Sequence, residues 1–457
     1  MNIILLSGGS GKRLWPLSND IRSKQFIKIF KKPSDNSIAM GTEDGKGYES
    51  MVQRIFRQIK TVDPSATVTI ATSKSQVSAI HNQLGEDVGI SVEPCRRDTF
   101  AAIALATAYL HDVKKVDSSE AVVVCPVDPY VEEGYFRTLA EMCKAAQESS
   151  SNLVLMGIEP TYPSEKYGYI KPVEGLDGST AYEFTEKPKA EKAAEYIKQG
   201  ALWNGGVFAY KLSYVLDKSR DLLGTDNYGE LFSAYNTLKK ISFDYAVVEQ
   251  EKSIAVVNYA GTWKDLGTWN TLTEAMEDAA VGEAILSDDC ENVNVLNELG
   301  VPILAMGCKD LVISASAEGI LVSDKEKSSY IKPYVDEINQ PVKFAEKSWG
   351  SYRVIDVQDE SMTVLVTLNP GHKMNYHSHE KRDEIWNVVR GSGRTIVDGM
   401  EQPVKAGDVV TMAAGSKHTV IAGDEGLQLI EVQLGSSISV SDKKKYEMPT
   451  TIAGEKL

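Results

Sequence analysis

The chain of 457 residues is poor in cysteine, in histidine, in basic runs and in long apolar stretches. Its five cysteines, at 95, 125, 143, 290 and 308, are odd in number, scattered, and form no Cys-x-x-Cys pair. That pattern reads as reduced, mostly buried thiols of a cytoplasmic protein. The longest notable apolar stretch, 101–110, is about half of a membrane span, so no membrane partner is expected. The start of the chain has no charged leader and runs straight into a glycine turn, so no secretory signal is expected either. Formal net charge is −15, and the one basic run is Lys443-Lys444-Lys445. Nucleic acid needs a basic footprint and is therefore excluded as a partner. Small anionic substrates stay open, because a local cradle and a divalent metal can hold them within an acidic protein.

What is present is ordinary in bulk: 42% hydrophobic and 25% charged residues, enough for a large core spread over two or three domains. The most informative stretch is Leu5-Leu6-Ser7-Gly8-Gly9-Ser10-Gly11-Lys12-Arg13-Leu14-Trp15-Pro16-Leu17-Ser18. An apolar run of strand length, 3–6, breaks into glycines and then two adjacent cations. Glycines without Cβ let backbone N–H groups approach a ligand and form an anion cradle. Arg13 adds a planar fork for phosphate oxygens. A plain strand-to-loop turn is the alternative. The spacing is neither a Walker A loop nor the dinucleotide Gly-x-Gly-x-x-Gly fingerprint. Lys24-Gln25-Phe26 follows with a second cation.

Strand and helix patterns then alternate: strands at 66–71, 90–93 and 121–125, helices at 73–84 and 99–116, with Asp98 as a helix N-cap. Alternation implies a parallel sheet covered by helices, with ligands beyond the carboxyl ends of its strands. Glu93-Pro94-Cys95-Arg96-Arg97-Asp98-Thr99 opens the long helix and reads either as a ligand-binding helix end or as simple capping. The apolar run 121–125 leads to Asp128, either a metal carboxylate or a cap for the next helix. From 284 to 331 short β-branched runs alternate with Gly, Asp and Asn, a small β linker region with no legible chemistry. Pro333 and Pro341 bracket a boundary. Four of the six histidines then fall between 372 and 418.

The glycine turn together with Ser23-Lys24-Gln25-Phe26 resembles the signature of sugar-nucleotide pyrophosphorylases, in its mannose-1-phosphate guanylyltransferase form. Lys12 stands where Thr is usual and Ser23 where Pro is usual. Segment 93–99 resembles a base-binding motif, with Asp98 in place of Asn. Asp128 and the Asp265 of Trp263-Lys264-Asp265-Leu266-Gly267-Thr268-Trp269 match the two Mg²⁺ carboxylates, so they are expected to meet at one ion. The resemblance implies nucleotide binding by Gly8, Gly9, Ser10, Gly11, Lys12, Arg13, Glu93, Arg97 and Thr99. It implies sugar-phosphate binding by Gly168, Glu186, Lys187 and Asn204, and catalytic roles for Arg13, Lys24, Asp128 and Asp265.

Near the C-terminus, Gly371, His377-Ser378-His379, Glu384 and Gly391, then Gly407, Gly415 and His418, follow the two cupin motifs. His377 and His379, two apart on a strand, share one face. With Glu384 and His418 they make a site for Zn²⁺ or another mid-row divalent metal, unless this cupin has lost its ion. Trp349-Gly350-Ser351-Tyr352 and Ile430-Glu431-Val432-Gln433-Leu434-Gly435 resemble the isomerase half of bifunctional phosphomannose isomerase–guanylyltransferases. Departures from that pattern are two extra residues between His379 and Glu384, Asn375 for Gln, Ile385 for His, and lysines at 443–445 near an end that usually carries arginines. They lead us to expect a metal-binding but poor isomerase.

The expected fold is α/β: a Rossmann-like, mostly parallel nucleotidyltransferase domain over 1–280, a small β linker region over 281–335, and a cupin jelly-roll β-barrel over 336–457. The expected activity makes GDP-mannose and pyrophosphate from GTP and mannose 1-phosphate, with Mg²⁺, in a protein that can pair as a homodimer. The rivals are a bifunctional enzyme whose cupin also isomerises mannose 6-phosphate, and a non-catalytic sugar-nucleotide-binding subunit.

Overall fold

The computed structural model describes residues 1–8, 11–19, 21–33, 47–174, 180–439, 442–449, 451–452 and 455–456. Its first sheet is built on Asn2–Ser7, which pairs in parallel with Thr67–Ser73 on one side and Ala121–Pro126 on the other; Gly89–Glu93 extends it beyond Thr67–Ser73. Side chains of alternate residues go to opposite faces. Ile3, Leu5, Val123 and Cys125 join one core, while Ile4, Val122 and Val124 join another. A strand apolar at every position is the signature of a sheet covered on both sides. Helix Asp98–Asp112 covers one face; alanines at 101, 102, 104, 106 and 108 favour the helix and let it pack close.

On the far side of Ala121–Pro126 the sheet turns antiparallel. Leu202–Lys211 pairs there, and also with Leu153–Ile158 and with the hairpin strand Tyr169–Glu174. Strand and helix alternation does not foretell this half, because reversed strands arrive through long connections. Between Asn204 and Phe208 the register shifts in a bulge, which takes Gly205, Gly206 and Val207 out of that ladder just after the paired Asn204.

The long helix starts one residue earlier than the sequence pattern suggests and ends at Asp112. Asp98 does not cap it from outside. It lies within the first turn at φ 68°, and its carboxylate accepts the N–H of adjacent Thr99 at 2.8 Å. The helix expected from 73 begins only at Val77. All five cysteines are free, yet only Cys125 is fully buried, which corrects the expectation of mostly buried thiols. Burial pushes the Cys125 thiol up to about 12.

Three small parallel pairings follow, Ala280–Val281 with Asn294–Asn297, Asn294–Asn297 with Leu311–Ser316, and Ala284–Leu286 with Ile303–Ala305, around Val293, Val295, Ala305 and Ile313. The last part is a wholly antiparallel curled sheet. Its long strands Asp383–Val397 and His418–Leu434 pair along most of their length and close around Trp386, Val388, Val420 and Leu429. No helix among the described residues is long and apolar enough to cross a membrane.

Candidate active site

A cleft of about 220 Å³ opens at the carboxyl edge of the first sheet, walled by Asp128, Gly168, Glu186, Asn204, Asp244 and Asp265. Strand order explains the gathering. Ala121–Pro126 lies between Asn2–Ser7 and Leu202–Lys211, so the Asp128 that follows it stands between the glycine turn and the Asn204 bulge. Asp265 comes from much later in the chain. Trp263–Asp265 pairs antiparallel with Pro129–Val131 and sets Asp265 opposite Pro129. Lys24 Nζ lies 3.1 Å from Asp128 Oδ2 and 3.3 Å from Asp265 Oδ1. Lys24, Asp128 and Asp265 thus converge from three distant segments. The two carboxylates face open solvent on one side, the oxygen-rich and partly hydrated setting that suits Mg²⁺.

The backbone carrying Lys24 is locked from below. Gln25 Nε2 donates to Ser7 Oγ at 2.9 Å, Ser7 Oγ to Gln76 Oε1 at 3.0 Å, and Gln76 Nε2 to Ser23 Oγ at 2.7 Å. All four side chains are buried. Buried polar groups so satisfied fix geometry. Sequence reasoning missed Gln76, since nothing local marks a glutamine as the centre of a network.

In the glycine turn, no neighbouring atom lies within 4 Å of where Gly8 would carry a Cβ. Gly9 and Ser10 lie outside the described residues. Gly11 opens a short turn, Gly11–Leu14, from which exposed Arg13 projects. Lys12 Nζ pairs with Asp336 Oδ1 at 2.8 Å. The expected base-binding residues are tied to segment 235–243. Tyr235 donates its hydroxyl to Glu93 at 2.7 Å, Arg97 donates to the carbonyls of Tyr235 and Asn236, and Thr99 Oγ1 accepts the N–H of Phe243 at 2.8 Å. Burial raises the Glu93 carboxyl above its usual range.

On the sugar side, Gly168 has a steric reason. A Cβ there would lie 2.4 Å from the Phe184 ring and 2.6 Å from Glu186 Oε2. The Gly168 carbonyl accepts the Asn204 N–H at 2.8 Å, Asn204 Nδ2 donates to Asp244 Oδ1 at 2.8 Å, and Asn204 Oδ1 accepts from Gly206 N at 3.1 Å. Lys187, at φ 46°, pairs with Glu186. Burial opposes the Lys187 charge, but the Glu186 partner outweighs it and the ammonium is raised. Burial, reinforced by Glu186, pushes Asp244 up to about 7. Sequence reasoning did not place Asp244 in this cleft.

The barrel holds a second cluster. Ligand atoms of His377, His379, Glu384 and His418 all lie within 4.8 Å of one another, and all four residues are buried. His377 and His418 face each other across one ladder. Their Nδ1 atoms lie 2.6 Å and 3.0 Å from the carbonyls of Asn375 and Ser416, which leaves Nε2 for the centre. Burial pushes His377 down to about 2 and His379 to about 4, the neutral form a metal requires. Glu384 Oε2 and His418 Nε2 are buried 3.1 Å apart with no other polar partner among the described residues, and His379 Nδ1 is buried with none. Buried ligand atoms so close together, with no donor from elsewhere to share, fit a divalent cation. Arg382 steadies the cluster, donating to Glu384 Oε1 at 3.0 Å and lying 2.9 Å from His379 Nε2. Glu431 and Lys443 lie nearby. Burial pushes Glu431 up to about 7 and Lys443 down to about 8.

Residues 2–281 match the nucleotidyl transferase family model, and residues 336–448 match the model described as mannose-6-phosphate isomerase C-terminal. Similar curated proteins include the xanthan biosynthesis protein XanB of Xanthomonas campestris pv. campestris (strain B100), 28% identical over 97% of both chains. Another is the mannose-1-phosphate guanylyltransferase of Escherichia coli (strain K12), 27% identical over 97% of both. Among solved structures, a Thermus thermophilus protein described as a mannose-1-phosphate geranyltransferase superposes with a TM-score of 0.59 at 27% identity, covering 73% of this chain and 98% of its own. The chain belongs to the nucleotidyl transferase family.

Proposed function

We propose that this chain is a mannose-1-phosphate guanylyltransferase that forms GDP-mannose and pyrophosphate from GTP and mannose 1-phosphate. The observation that carries the reading is the convergence of Lys24, Asp128 and Asp265 beside a polar cleft of sugar size. The relatives named mannose-1-phosphate guanylyltransferase support the choice of base and hexose. The chain divides, on this reading, into a transferase domain at 1–280, a β linker at 281–335 and a cupin at 336–457.

In-line attack of the sugar phosphate oxygen on the α-phosphorus needs positioning and charge neutralisation rather than covalent help from the protein. Gly168, Glu186 and Asn204 orient the hexose, and Lys187 stands by its phosphate. The glycine turn from Gly8 to Gly11, with Lys12 and Arg13, holds the leaving pyrophosphate. Glu93, Arg97 and Thr99 frame the base. Asp128 and Asp265 would hold Mg²⁺, which neutralises phosphate charge when bound. One preorganised contact of this kind contributes about 3 kcal/mol in the transition state. A matrix of four nucleoside triphosphates against mannose and glucose 1-phosphates tests the reading. GTP with mannose 1-phosphate should dominate kcat/KM, and preference for another pair would overturn the assignment.

A second reading is supported by the match over 336–448 and by the buried cluster of His377, His379, Glu384 and His418: the barrel also isomerises mannose 6-phosphate. The cluster fits Zn²⁺ or a similar ion. The sequence departures around Glu384 argue for slow turnover. We expect a bound metal, lost in His377→Ala, and fructose 6-phosphate formation far slower than guanylyl transfer. Comparable rates, abolished by His377→Ala, would make the chain bifunctional.

A further inference from the structure

The ammonium of Lys24 is surrounded by oxygens from two remote segments. Besides Asp128 Oδ2 at 3.1 Å and Asp265 Oδ1 at 3.3 Å, it reaches the Leu266 carbonyl at 3.4 Å. An ammonium has three donors, so these three acceptors occupy it fully. Lys24 is the inner member of the group. Its side chain is 21% exposed, against 38% for Asp128 and 53% for Asp265.

The carboxylates have little freedom to separate. The short ladder that sets Asp265 opposite Pro129 brings it beside Asp128, and Gly267 leaves room for the Asp265 carboxylate, whose oxygens lie 3.3 Å from its ideal Cβ position. Two like charges held this close repel, and a cation between them removes the repulsion. The Lys24 backbone is equally fixed, because Ser23 and Gln25 on either side are held in the buried Gln76 network. Only the flexible stem of Lys24 can move.

We propose that Lys24 is a resident countercharge: its ammonium holds Asp128 and Asp265 together in the nucleotide-free protein and competes with a divalent cation for them. The proposal rests on the reading of these two aspartates as metal carboxylates. It has a consequence for the order of events. A free divalent ion meets carboxylates already neutralised and binds weakly. An ion that arrives with triphosphate brings negative charge of its own. The ammonium can then leave the carboxylates for phosphate oxygens, swinging on its stem without moving its backbone. Lys24 is thereby a positioning residue for the metal before it is a phosphate contact, and metal entry is coupled to nucleotide entry.

The test is Mn²⁺ binding to the nucleotide-free full chain, followed by calorimetry and by the paramagnetic resonance signal of free Mn²⁺. Binding that survives in Asp128→Asn/Asp265→Asn belongs to the barrel and is subtracted. Lys24→Met and Lys24→Gln should each tighten Mn²⁺ binding at the aspartates about tenfold over the wild type. Adding Asp128→Asn to Lys24→Met should abolish the gain. With GTP present the advantage of Lys24→Met should shrink or reverse. If Lys24→Met and Lys24→Gln bind Mn²⁺ no more tightly than the wild type, while the aspartate variants bind it less tightly, the countercharge role is wrong and the metal reading stands. If the aspartate variants leave Mn²⁺ binding unchanged in every background, with or without GTP, the metal reading falls and the proposal with it.

Discussion

Asp244 is a residue whose charge state the fold sets. Asn204 donates to it at 2.8 Å, while burial and Glu186 push it up to about 7 from the ordinary 3.8. A carboxyl raised in this way favours the fold in its neutral form. That stabilisation is complete below the ordinary value and is lost as pH rises through about 7. Asp244 is only half-buried by its neighbours, so water screens part of the effect and the loss between pH 6 and 8 is at most about 1 kcal/mol. Asp244→Asn keeps an acceptor for Asn204 but cannot titrate. The wild-type melting temperature should therefore fall from pH 6 to pH 8 relative to that of Asp244→Asn, and parallel profiles would refute the shift. Its charge state could not be read from the sequence, because its burial depends on strands some forty or more positions away in the chain. The same holds for Lys24. Its identity stands out beside the glycine turn, whereas its position between two carboxylates depends on a ladder formed far downstream.

At the scale of elements, Gly168 begins where the hairpin strand Tyr169–Glu174 enters the cleft, and its missing side chain lets Phe184 and Glu186 close over the backbone. Gly168→Ala must displace a buried ring or the carboxylate. It should raise KM for mannose 1-phosphate about tenfold or more and leave KM for GTP nearly unchanged. Equal changes in both would mean that Gly168 shapes the whole domain rather than the sugar side. The parallel strands were readable because they are short β-rich or apolar runs, the fullest at 121–125, and helical periods alternate with them. The antiparallel half was not, since alternation carries no information about strand direction once connections are long. In the barrel, His377 and His379 could be placed on one face because they lie two apart on a strand, and the cupin motifs added Glu384 and His418 from other strands of the sheet. The Arg382, Glu431 and Lys443 that surround them have no such periodic mark.

At the scale of the molecule, the linker grips the signature turn from behind. The Arg22 guanidinium, itself buried, makes a two-pronged contact with Glu298 at 2.8 and 2.9 Å. Ser316 donates to the Pro16 carbonyl at 2.6 Å and Glu318 accepts from Asn19 at 2.9 Å, and just past the linker Asp336 meets Lys12. Further along, Gln83 donates to Glu346 at 2.6 Å and so ties the barrel's first strand to the helix Val77–Leu84. None of this was legible in the sequence. The linker shows no chemistry of its own, and contacts between residues some three hundred positions apart leave no local pattern. Glu298→Ala would strand the buried Arg22 charge. It should lower stability by about 1–3 kcal/mol, the upper end being limited by the partial exposure of Glu298. It should also weaken GTP use by loosening the turn. An unchanged melting temperature would show that the linker merely abuts the transferase.

The whole account stands on guanylyl transfer organised around Asp128 and Asp265. Its most direct test is pyrophosphate release from GTP and mannose 1-phosphate with Mg²⁺, compared among the wild type, Asp128→Asn and Asp265→Asn. The account predicts turnover by the wild type with one GDP-mannose per pyrophosphate, and a loss of at least about a hundredfold in each folded variant. Wild-type rates in both variants, or no pyrophosphate from the wild type, would contradict it.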